Sequence, residues 1–169
     1  ATTTNGGLTW HHSIVPGLTT CSGGEFERTA DTWMSFAKNG DIYLSSVSFD
    51  VTQLPANIRT AIMVNKSVDR GFTWSNPTII QEDEFPFSND KESITADPTN
   101  SNFAYVVWSR TNSNTGQQRG WISRTTNGGA SWETPFPFVD TGANSSSIGH
   151  QIVVLPNGTL VNGFIIRDI

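Results

Sequence analysis

Asp31, Asp90 and the pair Gly149-His150 recur at intervals of 59 residues, each ahead of a run of strand-forming residues. Other groups able to do chemistry cluster around them. Arg28 stands three residues before Asp31, Lys91 and Glu92 follow Asp90, and Gln151 follows His150. Two carboxylates brought to one pocket form the pair that glycoside hydrolysis uses, one as acid and the other as base or nucleophile. The same aspartates could instead cap the loops leading into strands by accepting backbone N–H bonds. Arg28, Lys91, Glu92, His150 and Gln151 are candidates to hold an anionic or hydroxyl-rich ligand, and Glu92 could alternatively pair with Lys91 or Arg28. His150 could also serve as a hydrogen-bonded structural residue. Trp33, Trp108 and Trp121 could stack on sugar rings. Trp108 sits in the apolar run from Tyr105 and reads as core, which leaves Trp121 as the better candidate for an exposed platform.

Other chemistries find less support. The single cysteine, Cys21, permits neither an intrachain disulfide nor a cysteine zinc site, and no base lies near it in sequence. The acidic run Gln81–Asp90 could offer oxygen ligands to calcium but lacks the spacing of a calcium loop, and reads as a solvated surface loop. No metal or cofactor is therefore expected. The ten Lys and Arg are scattered and the net charge is −5, which excludes a basic nucleic-acid or anionic-membrane surface. No apolar run reaches the roughly 18 residues of a membrane helix. Sequons occur at Asn65, Asn144 and Asn157.

The elements that must position the candidate residues follow from composition and repeats. Ser, Thr, Asn and Gly supply 68 of the 169 residues, and aromatics 11%. That balance favours strands joined by many turns and excludes a helical bundle. One pattern, Ser/Thr-x-Asp/Asn-x-Gly-x-Ser/Thr-Trp, occurs three times: Thr3 to Trp10 through Asn5, Ser67 to Trp74 through Asp69 and Gly71, and Thr125 to Trp132 through Asn127 and Gly129. Between these copies lies a second pattern, a strand, a turn and a strand. Its turns are Asn39-Gly40 and Asn157-Gly158, the strongest short hairpin signal, with a longer turn in the copy after Asp90. In the unit after Asp31 the predicted strands are Thr32–Lys38, Ile42–Phe49, Thr60–Asn65 and Thr73–Ile80. Predicted loops are Asp50–Arg59, Gln81–Asp90 and Asn112–Arg119. Four antiparallel strands per unit at this period describe a β-propeller blade. In the repeated turn, Asp or Asn accepts backbone N–H bonds, Gly supplies positive φ, and the Trp heads the next strand as a buried wedge.

These turns resemble the Asp-box, or BNR repeat, of the sialidase superfamily. Ser67-Val68-Asp69-Arg70-Gly71-Phe72-Thr73-Trp74 matches that motif at every defined position, while the copies at Asn5 and Asn127 carry Asn for Asp and Thr for Ser. The segments opening at Asp31 and at Asp90 resemble blade openings of secreted bacterial sialidase-like proteins. The resemblance implies an all-β propeller of four-stranded blades, three of them here, with units beginning near 31, 90 and 149 in one partial domain spanning 1–169. It implies a secreted or extracellular glycoside hydrolase whose pocket lies at the inner blade openings. In sialidases such an opening carries an arginine of a carboxylate-binding triad before Ile-Pro. This chain has no Arg-Ile-Pro, and only Arg28 lies near an opening.

A six-bladed ring at this period needs about 350 residues, so 169 residues supply about 2.9 units. The expectation is a portion of a longer chain, the alternative being two or more copies that close a ring. The partners expected are a glycan and the remaining blades, from the same chain or another copy. Three functions stay open: a sialidase-like glycoside hydrolase, a non-catalytic carbohydrate- or protein-binding propeller, and a structural piece of a larger secreted protein.

Overall fold

The computed structural model describes residues 1–52, 58–142 and 144–168. Among these residues, ten antiparallel strands form three sheets. The first, in the order β1-β2-β3-β4, comprises Arg28–Phe36, Ile42–Phe49, Thr60–Ser67 and Thr78–Asp83. The second repeats the order with β5 Phe87–Ala96, β6 Ala104–Asn112, β7 Gln117–Thr125 and β8 Phe136–Val139. The third pairs β9 Ser145–Val154 with β10 Leu160–Asp168.

The sheets stack face to face because their central strands are apolar on both sides. In β2 and β3, Tyr43, Val47, Ile62 and Val64 face the second sheet, while Leu44, Ala61 and Met63 face Leu18, Phe26 and Val15 of the N-terminal segment. In β6, Ala104, Val106 and Trp108 face back to the first sheet. Tyr105 and Val107 face forward to Ile152 and Val154 of β9. Alternating side chains of one strand thus feed two cores, as the two-residue period requires.

Polar groups fix the joints between sheets. Asn89 is buried. Its amide N–H and side chain bond Thr60, its side-chain nitrogen lies 3.0 Å from Asp83, and its oxygen accepts from the Trp108 indole at 2.9 Å. Asp83 in turn grips Arg110 bidentately at 2.6 and 2.8 Å. Innermost strands are stitched by side chains: Ser35 accepts from the Ala96 amide, and Ser93 and Thr95 donate to the carbonyls of His150 and Ile152.

The three repeated turns are built alike. In each, the leading hydroxyl accepts the glycine amide, at 3.0 Å (Thr3), 2.7 Å (Ser67) and 2.9 Å (Thr125). In each, the Asp or Asn oxygen accepts the amide of the later Ser or Thr, at 3.0, 2.8 and 3.0 Å. Only the last bond differs. The Thr73 hydroxyl donates to Asp69 at 2.6 Å, whereas Asn5 and Asn127 donate their side-chain N–H to Thr9 and Ser131 at 2.8 Å. A hydroxyl can donate or accept, so Asp and Asn both close the turn.

Several sequence expectations need correction. Strand β2 matches its predicted bounds, β3 runs on to Ser67 instead of ending at Asn65, and β1 is shifted, running Arg28–Phe36 instead of Thr32–Lys38. The fourth strand starts at Thr78 rather than Thr73, and Trp132 likewise lies four residues ahead of β8. Pro77 and Pro135, which cannot donate to a ladder, stand in the intervals. These tryptophans therefore precede the strand instead of heading it. Trp74 and Trp132 are half-buried and Trp10 is 55% exposed, so the expectation of three buried wedges does not hold. Most of the predicted Gln81–Asp90 loop is strand, with only residues 84–86 between β4 and β5. The predicted Asp50–Arg59 loop lies partly outside the described residues.

Two outcomes follow from this packing. Trp108, fully buried and hydrogen-bonded, should cost about 3–5 kcal/mol when replaced by Ala. Trp74→Ala should cost less, and Trp10→Ala should stay within about 0.5 kcal/mol. Urea unfolding ranks them, and a Trp10 loss equal to that of Trp108 would contradict the packing. The Asp69 carboxyl is held down at a pKa of about 2, first by the Thr73 hydroxyl and then by the Thr73 amide. Its contribution is complete above its ordinary pKa of 3.8 and is lost as pH falls towards about 2. The melting-temperature gap between the protein and Asp69→Asn should therefore narrow on acidification from pH 5 to pH 2, as read by calorimetry, and a constant gap would refute this.

Candidate functional site

The first strand of each sheet, β1, β5 and β9, carries a β-bulge at the same place. Pairing shifts register between Ala30 and Trp33 in β1 and between Asp90 and Ser93 in β5. In the third sheet it shifts between Gly163 and Ile165 of β10, leaving Gly149 and His150 of β9 as the extra residues. The first bulged residue has a left-handed backbone every time: φ is 53° at Asp31, 54° at Lys91 and 71° at Gly149. The structural equivalents are thus Asp31, Lys91 and Gly149, and the register that equated Asp31 with Asp90 is corrected by one residue. The second residues are Thr32, Glu92 and His150.

The three bulges meet. Asp31, Thr32, Trp33, Lys91, Glu92, Ser93, Gly149, His150 and Gln151 line one pocket of about 270 Å³. The Lys91 ammonium donates to Asp31 at 2.5 Å and lies 3.5 Å from Asp90. Asp31, and next Asp90, hold the Lys91 pKa above its ordinary value. This ion pair separates the pocket from a second cavity of about 420 Å³ that Asp31 and Lys91 share with Ser88, Asn89, Asp90 and Thr60. Asp90 faces only that second cavity, and its carboxylate accepts the Lys91 amide at 2.9 Å.

Glu92 differs from both aspartates. Its residue is 4% exposed, and neither carboxyl oxygen meets a hydrogen-bond partner. Burial pushes its pKa up to about 8, and the charges of Asp31 and Asp90 push the same way. The backbone amides of Glu92 and Val47 pull it down, the first by more than either aspartate charge pushes, though neither amide completes a hydrogen bond to the carboxyl. At neutral pH Glu92 is mainly a neutral carboxylic acid, and the predicted pairing with Lys91 or Arg28 does not occur.

His150 walls the pocket but its ring is committed elsewhere. Nδ1 lies 3.2 Å from the Asn162 side-chain nitrogen and Nε2 3.1 Å from the Ser147 hydroxyl. That amide nitrogen can only donate, so Nδ1 accepts and Nε2 carries the proton of a neutral ring. Burial lowers the His150 pKa, in keeping with that tautomer. The ring stacks on Phe164 at 5.1 Å and packs under Gly120. Of its two sequence readings, the hydrogen-bonded structural one describes this ring. Arg28 opens β1 and lines neither cavity. Trp121 is no exposed platform: it packs on the core shared by the first two sheets, with the Arg110 guanidinium 4.5 Å from its ring centre. Trp33, 43% exposed, and exposed Gln151 are the freer side chains at the rim. Sequence reasoning missed Thr32 and Ser93 as lining residues, and named Trp33 only as one of three tryptophans able to stack on a sugar. The signal for them was Gly149 inside a strand pattern, which marks a bulge.

Among the described residues, no group of three or more His, Cys, Asp and Glu side chains could hold a metal ion. The lining has one exposed carboxylate paired with one ammonium, one buried neutral acid and no arginine. Such a set can hydrogen-bond hydroxyls and exchange protons, but it has no guanidinium fork for a ligand carboxylate.

The chain matches no family model and no curated protein. Solved structures resemble it in fold. A Dyadobacter fermentans protein of unknown function superposes with a TM-score of 0.64 at 19% identity, covering 96% of this chain and 42% of that one. The Penicillium chrysogenum α-L-arabinanase, solved with arabinobiose, superposes at 0.57 with 18% identity, covering 75% of this chain and 36% of the arabinanase. The chain thus spans less than half the length of these neighbours. Its all-β fold of antiparallel sheets is similar to that of β-propeller glycosidases.

Two glycine substitutions separate pocket geometry from packing. A Cβ on Gly120 would come within 2.5 Å of the His150 ring, whereas one on Gly149 would meet nothing within 4 Å. Gly120→Ala should cost about 1–3 kcal/mol through overpacking. Gly149→Ala should cost about 1–2 kcal/mol through the left-handed backbone alone. The His150 ring resonances in an NMR spectrum should move in the first variant and stay in the second. Unmoved resonances in Gly120→Ala would show the ring to sit elsewhere.

Proposed function

We propose that this chain forms part of a secreted Asp-box propeller of the sialidase superfamily. Each four-stranded sheet is a blade, and the pocket at the three bulges is a glycan site of a glycoside hydrolase. The carrying observation is the convergence of the bulges, with two left-handed non-glycine residues, Asp31 and Lys91, paired at 2.5 Å on the pocket wall. Residues held in sparsely populated backbone regions concentrate at functional sites. The arabinobiose in the structurally similar arabinanase supports a carbohydrate ligand.

The lining favours a neutral, hydroxyl-rich sugar over a sialoside. With Glu92 protonated, Asp31, Asp90 and Lys91 leave the local charge negative, and no arginine lines either cavity. Asp31 is the base or nucleophile in this reading, with Asp90 supporting the charge of Lys91. Lys91, Thr32 and Gln151 contact hydroxyls, and Trp33 offers an apolar ring at the rim. Further blades, from the same chain or another copy, cover the apolar side chains of β10, where Ile165 and Ile166 are exposed. The second reading is a non-catalytic carbohydrate- or protein-binding propeller. The close Lys91 pair favours it, because an ammonium held against Asp31 weakens that carboxylate as a base.

The test is hydrolysis and binding with arabinobiose, a neutral xylo-oligosaccharide and a 4-nitrophenyl sialoside. Cleavage of a neutral sugar, reduced at least a hundredfold by Asp31→Asn with melting unchanged, is expected. Binding without cleavage selects the second reading. Neither binding nor cleavage of any of the three defeats the glycan site, and cleavage of the sialoside alone defeats the preference for neutral sugars.

A further inference from the structure

We infer that Asn157 is an N-glycan attachment site whose first sugar lies in a cavity between the second and third sheets. The inference takes from the proposed function only that the chain is exported, and nothing about the pocket at the bulges. The sequence holds three Asn-x-Ser/Thr motifs, and the fold presents one of them. Asn65 is fully buried, and its side-chain nitrogen already donates to the Pro16 and Ser75 carbonyls at 3.1 and 2.9 Å. A bulky sugar there is incompatible with this packing. Asn144 is exposed, but the hydroxyl residue of its motif, Ser146, is 3% exposed and accepts the Gln118 amide at 3.1 Å. Asn157, Gly158 and Thr159 are all exposed. The Asn157 oxygen accepts the Thr159 amide at 3.0 Å, and its nitrogen has no partner among the described residues. A Cβ on Gly158 would meet nothing within 4 Å, so the turn stands in open space.

The same turn occurs in the first sheet, and the two differ where it matters. Gly40 donates to the Ala37 carbonyl and Gly158 to that of Leu155, both at 2.9 Å, and in each turn the Asn oxygen accepts the amide two residues on. In the first sheet Lys38 crosses to the Thr99 carbonyl of the second sheet at 3.3 Å, and Asp41 pairs with Lys66 at 2.6 Å. In the third sheet Pro156 and Thr159 take those two places. Proline has no reach across the joint, and a cavity of about 410 Å³ opens between Asn157 and the residues Thr99, Asn100, Phe103 and Tyr105 of the second sheet. It offers aromatic surface to the apolar face of a pyranose, with a hydroxyl and an amide beside it for polar groups. An N-acetylhexosamine joined to Asn157 has this cavity next to it. The turn lies past the end of β9 and lines no part of the pocket at the bulges.

The donor is an oligosaccharide carried on a lipid diphosphate, and the transferase of an export pathway makes the transfer. The Asn157 side-chain nitrogen bonds the anomeric carbon of the first sugar while the bond from that carbon to the diphosphate oxygen breaks. The electron pair leaves with the lipid diphosphate, and the nitrogen gives up one proton to solvent. No oxidant or reductant takes part.

Secretion of the chain from a eukaryotic host tests this, with amidase release of glycans in ¹⁸O-labelled water and peptide mapping to find each labelled position. Asn157 should carry a glycan in the folded secreted protein, and Asn65 should carry none. Thr159→Ala should abolish the glycan at Asn157 and leave the melting temperature of the deglycosylated protein unchanged. A bare Asn157, an occupied Asn65 in protein that melts as the deglycosylated chain does, or a glycan retained at Asn157 in Thr159→Ala overturns the inference. NMR reads the cavity: with the glycan trimmed to its first sugar, the acetyl methyl resonance should lie upfield of its position in the free sugar and return there in Phe103→Ala. A methyl at the free-sugar position in the unaltered protein overturns the placement in the cavity. Loss of sugar binding and cleavage at the bulges, with Asn157 occupied, instead defeats the reading of that pocket and leaves this inference standing.

Discussion

An innermost strand here must bend where it passes its neighbours, and it does so by holding one extra residue with a left-handed backbone. That constraint governs the rest. Downstream of each bulge the register is fixed, so Ser35 meets the Ala96 amide, and Ser93 and Thr95 meet the His150 and Ile152 carbonyls. Gly149 adopts the conformation freely, but Asp31 and Lys91 carry side chains there, at roughly 1–3 kcal/mol of strain each. Their mutual ion pair is solvent-exposed and returns at most about 1 kcal/mol. Two strained residues that contribute so little to stability are better explained by what they present to the pocket than by what they do for the fold.

Stability comes instead from the periphery and from between the sheets. The outer turns are self-contained: hydroxyl, carboxylate or amide, and glycine satisfy each other within eight residues. They also dock sideways. Lys66 donates to the Gly128 carbonyl at 2.8 Å, and Tyr43 meets Trp132 edge to face at 6.2 Å, tying the turn of the second sheet to the first. The N-terminal turn ties on in the same way, with Thr2 donating to the Arg70 carbonyl and Ser13 to that of Gly71. None of these groups lines the pocket at the bulges, so turn chemistry and pocket chemistry can vary independently.

The parts of this fold legible in the sequence are those written in neighbouring residues. Asn39-Gly40 fixed one end of Ile42–Phe49 and alternation of Tyr43, Leu44 and Val47 fixed its nature, so that strand was read to the residue. The repeated turns were legible because every bond in them is local. What was not legible depends on residues far apart. Apart from the bond between Asn89 and Asp83, the network of Thr60, Asp83, Asn89, Trp108 and Arg110 joins groups 19 to 29 residues apart, and no local pattern announces it. The misaligned register at Asp90 came from counting residues across a bulge, where sequence spacing and spatial equivalence part by one. Trp10, Trp74 and Trp132 were read as buried because tryptophan usually is, yet their exposure is set by what lies beside each turn.

Burial of Glu92 is the case where position outweighs residue type. Asp31, Asp90 and Glu92 are all carboxylic acids within one strand crossing, and composition treats them alike. The first two keep access to water and lie beside an ammonium. Glu92 lies under the bulge with no donor on either oxygen, so ionising it would place a third negative charge in a dry site beside two others. The same asymmetry narrows what the pocket can recognise. Arg110 is taken by Asp83 and covered by Phe87 and Trp121, and no arginine lines the pocket. A neutral acid, a paired carboxylate and a shared ammonium are instead donors and acceptors spaced around a small cavity, and the proposal of a neutral sugar rests on that arrangement.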